Sequence, residues 1–151
     1  MSSAWRCAGP RTASGAVTVR PRLAARIANR RAANWTLENA PWTPAKAARH
    51  VVGKLAEWGY RVDADKEAGI TAVTVLLARA ALSDGGSRIS LHLADQDHQA
   101  LILVLSHQAG LAPVGEDLLR EVTALGVVSC GADTDQKDGG RRRWALINLG
   151  D

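Results

Sequence analysis

From Thr43 onward the spacing of apolar residues changes character, and each change marks a new element. Ala48, Val51, Val52, Leu55 and Trp58 recur every three or four residues, which lines one face of a helix. Thr43 with Pro44 behind it predicts the start of that helix, and Gly59 its end. A second helix is predicted over 65–82, with Ile70, Val73, Leu76, Leu77 and Ala80 facing inward, and Asp84, Gly85 and Gly86 turn the chain. The period then becomes two. In RISLHL, residues 88–93, Ile89, Leu91 and Leu93 alternate with polar residues and predict a half-buried strand. ADQDHQ reads as a hairpin loop, and ALILVLS, residues 100–106, as a strand buried on both faces. HQAGLAPVG is a predicted loop, 117–124 a short helix, 127–130 a strand, GADTDQKDGG a loop and 141–149 the last strand. A short edge strand at 34–37 precedes them all. The order β, α, α, β, β, α, β, β predicts an α/β (α+β) fold, a two-layer sandwich with a mixed, mostly antiparallel sheet and helices on one face.

Charge divides the chain. Of its 151 residues, 1–34 hold seven arginines and no acid, while the remainder holds 12 basic and 15 acidic side chains, which together give the net +4. Residues 1–33 therefore read as a basic, disordered tail with a weak helix at 22–33, and 34–151 as the folded domain. The tail reads as a solvated extension; nucleic-acid binding through it is the lesser alternative, since no aromatic residues interleave with its arginines. No run is apolar enough for a membrane span, so no membrane partner is expected. Cys7 and Cys130 lie far apart with no CxxC, which predicts neither a disulfide framework nor a zinc site and fits a cytoplasmic location. His50, His92, His98 and His107 show no zinc-like spacing, and GADTDQKDGG lacks the closing glutamate of a calcium loop, so no metal is expected.

The 34–37 strand carrying Trp35, a first helix ending LAEWG, a long second helix, a glycine turn and a final strand ending WALINL together resemble the GHKL, or histidine-kinase-like, ATPase family with its Bergerat-like fold. More narrowly they are similar to short ATP-binding regulators of actinobacteria related to anti-sigma-factor serine kinases. The resemblance covers roughly residues 35–149.

The resemblance implies three nucleotide motifs, and this chain departs from each. The family's second helix carries a glutamate that activates water or a hydroxyl and, four residues on, an asparagine that holds magnesium; those positions fall on Val75 and Arg79. Residues 68–83 contain no Asp, Glu or Asn, and a guanidinium repels Mg²⁺. The adenine-reading aspartate after the family's strand falls on His107, which also reads simply as the end of a strand. The last glycine motif is reduced to Gly115 and Leu118 in VGEDLL. Val75, Arg79, His107 and Gly115 are thus expected to line a vestigial pocket, with Arg79 otherwise a solvated helix residue. Arg141–Arg143 are expected to alternate faces on the last strand, one charge guarding the sheet edge. The expectation is a pseudoenzyme: no catalytic residue, no cofactor, a regulatory protein partner, and room for a homodimer. The main alternative is an ATP-binding, anti-sigma-factor-like serine kinase using substitute residues.

Overall fold

The computed structural model describes residues 31–107, 116–134 and 140–150. Nearly all of the basic tail and Gly115 lie outside them. The elements are β1 (Ala32–Glu38), α1 (Thr43–Glu57), α2 (Ala64–Leu82), β2 (Arg88–Asp95), β3 (Gln99–Ser106), α3 (Glu116–Ala124), β4 (Ser129–Thr134) and β5 (Arg141–Asn148). Their order is the predicted one. The strands form one sheet in the order β1-β2-β3-β5-β4, and all four pairings are antiparallel. The described strands therefore contain no parallel pair, where a mixed sheet was expected. The first described strand also begins earlier than the expected 34: Ala32 and Ala33 are already paired in β1.

Helix α1 begins at Thr43, but Thr43 does not cap it. Trp42 occupies the cap position without a side-chain hydrogen bond, and the Thr43 hydroxyl donates instead to the Glu38 carbonyl at 2.6 Å, tying the helix to the end of β1. The helix stops at Gly59 as predicted, where the Tyr60 N–H returns to the Leu55 carbonyl at 3.1 Å. Helix α2 is capped by Asp63, whose carboxylate accepts from the Lys66 N–H at 2.7 Å. Its buried stripe is Ile70, Val73, Thr74, Leu77, Ala78 and Ala81; Leu76 and Ala80, expected inside, lie on its half-buried flanks.

The register sorts the sheet into two faces. Ile89, Leu91 and Leu93 of β2 and Ala100, Ile102, Val104 and Ser106 of β3 are buried, and they meet Val51, Leu55, Val73 and Leu77 of the helices in the core. The alternate residues Leu101, Leu103 and Leu105 are only half-buried, so β3 is not buried on both faces as its composition suggested. The hairpin loop is shorter than expected, because Ala94, Asp95 and Gln99 belong to the strands. Likewise β4 runs to Thr134 and absorbs the start of the predicted GADTDQKDGG loop. Cys130 of β4 is buried and disulfide-bonded, contrary to expectation. Sequence separation does not report the distance in space that decides a disulfide, and its partner lies outside the described residues.

Arg141 and Arg143 sit on the inner face and are buried, while Arg142 points outward to Asp133. Since β5 lies between β3 and β4, none of these three arginines guards a sheet edge. Just before β5, Gly140 runs so close to β3 that a Cβ there would strike the Ser106 carbonyl. Gly140→Ala is expected to lower stability by about 1–3 kcal/mol through this overpacking, read as a drop in the denaturation midpoint without a change in m-value.

Candidate functional site

Helix α2 has its buried stripe against the sheet, and at about 100° per residue Arg79 points nearly opposite that stripe, with Val75 on its flank. Arg79 is exposed and Val75 half-buried. His107 follows the outward parity of β3, and its Nε2 lies 2.8 Å from the hydroxyl of Ser90, an outer-face residue of β2. Arg79 and His107 therefore point away from one another, one from the helix layer and the other from the far side of the sheet. The shared pocket expected for Val75, Arg79, His107 and Gly115 is not assembled from the first three, and Gly115 lies outside the described residues. The inward position at the end of β3 belongs to Ser106.

Ser106 opens onto a buried charge cluster that the sequence reading missed. Asp84, in the turn after α2, is 6% exposed, and Arg143 is 3% exposed. The Arg143 guanidinium grips the Asp84 carboxylate with both terminal nitrogens, Nη1 to Oδ2 at 2.9 Å and Nη2 to Oδ1 at 3.1 Å. Ser106 Oγ donates to Asp84 Oδ2 at 2.5 Å, and Arg141 Nη1 lies 3.6 Å from Oδ1. The Arg141 N–H in turn donates to Ser106 Oγ at 3.3 Å. One carboxylate thus faces two guanidinium groups at the junction of α2, β3 and β5. Burial pulls the Asp84 pKa upward, but the hydrogen bonds from Arg143 and Ser106 and the charges of Arg143 and Arg141 outweigh it and hold the carboxyl below its ordinary value.

Chemically the Asp84 carboxylate is committed to its own chain: its two oxygens accept three hydrogen bonds, from Arg143 and Ser106, and its lowered pKa keeps it ionised. Among the described residues no group of three or more His, Cys, Asp or Glu side chains is placed to hold a metal ion. None of the described helices is long and apolar enough to cross a membrane. A faint signal for the cluster was present in RRRWALINL: Arg141 and Arg143 share a face with Ala145 and Ile147, but Trp144 and Leu146 make the other face apolar too.

At the opposite end of the sheet a cavity of about 660 Å³ is lined by Arg31, Trp58, Tyr60, Arg61, Asp95 and His98 among others. Asp95 organises it, accepting from Arg31 Nη2 at 2.8 Å, Tyr60 Oη at 2.6 Å and the Asp97 N–H at 3.1 Å. Burial, followed by the hydrogen bond to Asp95, raises the Tyr60 pKa above its ordinary value. Asp97 and His98 both take positive φ, 68° and 67°, as the centre of a tight hairpin turn requires.

Asp84→Asn is expected to cost about 3–5 kcal/mol, because it removes the charge that compensates two buried guanidinium groups. The pH dependence has a definite sign. With the folded pKa depressed below the ordinary 3.8, the stabilisation is complete above 3.8 and is lost as pH falls through the lower folded value. Denaturant titrations on the acid side should show this slope in the native chain and lose its Asp84 contribution in Asp84→Asn.

No protein-family model matches the chain, and no curated protein matches it. Among solved structures it is similar to the RsbU and RsbW domains of Rv1364c from Mycobacterium tuberculosis, at 18% identity and a TM-score of 0.59. The match covers 78% of this chain but only 32% of that one, so the chain spans about a third of the length of that structure. The likeness is one of fold: an open antiparallel sheet with helices on one face, consistent with a GHKL-like sandwich.

Proposed function

We propose that the protein is a non-catalytic, GHKL-like regulatory module that acts by binding a protein partner, in the manner of a partner-switching pathway. The observation that carries this reading is the engagement of Asp84 by its own chain. It is the acid buried beside the end of β3, where the family reads a nucleotide base, and Arg143 and Ser106 occupy both its oxygens. Beyond its first turn, which carries Asp65 and Glu67, α2 offers no replacement, because residues 68–83 contain no Asp, Glu or Asn. A magnesium-bound nucleotide needs a metal-holding oxygen and a proton acceptor, and the α2 positions that would supply them hold valine and arginine. The fold likeness to a protein with RsbW domains supports the regulatory half of the proposal. The proposed partner is a protein and no cofactor is required; the disulfide at Cys130 removes the cysteine argument for a cytoplasmic location.

Purified full-length chain is expected neither to hydrolyse ATP nor to bind Mg-ATP tightly; loss of a general base alone removes typically about 10²–10⁴ in rate. Calorimetric titration with ATP, with and without Mg²⁺, checks this. Micromolar affinity that EDTA weakens would overturn the proposal in favour of an ATP-binding kinase with substitute residues.

A further inference from the structure

A cysteine inside a strand is ordinarily a small apolar filler, but Cys130 of β4 is both fully buried and disulfide-bonded. Its Sγ lies 3.5 Å from Thr123 Oγ1 and 3.9 Å from the Leu119 carbonyl, beneath α3 on the helix side of the sheet. The chain holds one other cysteine, Cys7. The register fixes where this bond is made relative to the start of β1. Cys130 pairs with Ala145, Ala145 with Ile102, Ile102 with Leu93 and Leu93 with Ala33, a single row that crosses all five strands. Since β4 is one edge of the sheet and β1 the other, the ends of that row stand four strand spacings apart, roughly 19 Å.

We infer that Cys7 is the partner of Cys130, and that the basic N-terminal arm is a strap fastened at both edges of the sheet rather than a free tail. One anchor is covalent, under α3. The other is Arg31, whose carbonyl accepts from the Asp95 N–H at 2.8 Å and whose guanidinium, lying over the Trp58 ring, reaches Asp95 Oδ2 at 2.8 Å and the Trp58 carbonyl at 2.9 Å. Residues 7–31 can extend over roughly 80 Å, so the span between the anchors is bridged with slack. The bond forms by exchange with a disulfide-bearing oxidant. One cysteine thiolate attacks the oxidant and releases one thiol, and the second cysteine then attacks the mixed disulfide and releases the other, so the two electrons and two protons of Cys7 and Cys130 leave on two oxidant thiols. Burial of the Cys130 sulfur shields the closed bond from thiols in solution, since exchange needs access to it. Between its anchors the arm carries Arg11, Arg20, Arg22, Arg26 and Arg30 and no acid. Closed, it holds those five charges against the domain; reduced, it gives them a free end.

Peptide mapping of the full chain, refolded in a mixture of oxidised and reduced glutathione, tests the inference. Tryptic peptides 7–11 and 121–137 should run joined without reduction and apart after it. Cys7→Ser should raise the unfolding equilibrium constant on the order of 10²–10³-fold, because it frees the denatured chain from a long closed loop. It should match the unmodified chain unfolded in reductant, and reductant should leave Cys7→Ser itself unchanged. A free tail would make the substitution neutral. Two titratable thiols in the denatured, unreduced chain, glutathione left on Cys130, a cross-link between two molecules, or a Cys7→Ser chain as stable as the unmodified one would each overturn the inference. The mapping uses the unmodified chain, so it stands even if Cys7→Ser fails to fold. None of these outcomes bears on nucleotide binding.

Discussion

The grip of Arg143 on Asp84 is the constraint around which this sandwich is arranged. A carboxylate so deeply buried is tolerated only when its charge is met and its oxygens are bonded. The groups that meet it come from β3 and β5, while the carboxylate itself hangs from the turn after α2. The helix layer and two strands must all be in place before the charge is satisfied. The pair also fixes register. Because successive strand residues alternate faces, a slip of one residue in β5 would turn Arg142 inward and throw Arg141 and Arg143 outward, leaving Asp84 alone.

On the reading proposed above, the same cluster is what limits the likeness to a nucleotide-binding family to one of fold. A base-reading pocket needs an acceptor that faces an open space. In this chain Asp84 is engaged by Arg143 from within, and the inward position at the end of β3 is a serine committed to the same carboxylate.

Much of the fold was legible because it rests on period. Ala48, Val51 and Leu55 announced α1, and the alternation through Ile89, Leu91 and Leu93 announced β2, since local spacing and tertiary burial agree there. The site was not legible, for physical reasons that differ residue by residue. Asp84 sits in a turn that looks like solvent-facing punctuation, and its partner is 59 residues away. β3 and β5 are apolar on both faces, so their parity, and with it the inward turn of Arg141 and Arg143, could not be assigned from composition. His107 was placed by motif position, whereas its direction is set by strand parity, one step out of phase with Ser106. Gly131 to Thr134 read as loop because glycine and aspartate are weak strand formers, yet pairing with β5 overrides that preference.

The Asp95 assembly has a consequence for how the domain is tethered. The Asp95 N–H bonds to the carbonyl of Arg31, the first described residue, and the Leu149 N–H, next to the last described residue, bonds to the His98 carbonyl, three residues beyond Asp95. Both ends of the fold are thus fastened to a single hairpin, at the end of the sheet away from the buried arginines. A change in that hairpin would therefore be felt at the first and the last described residues together.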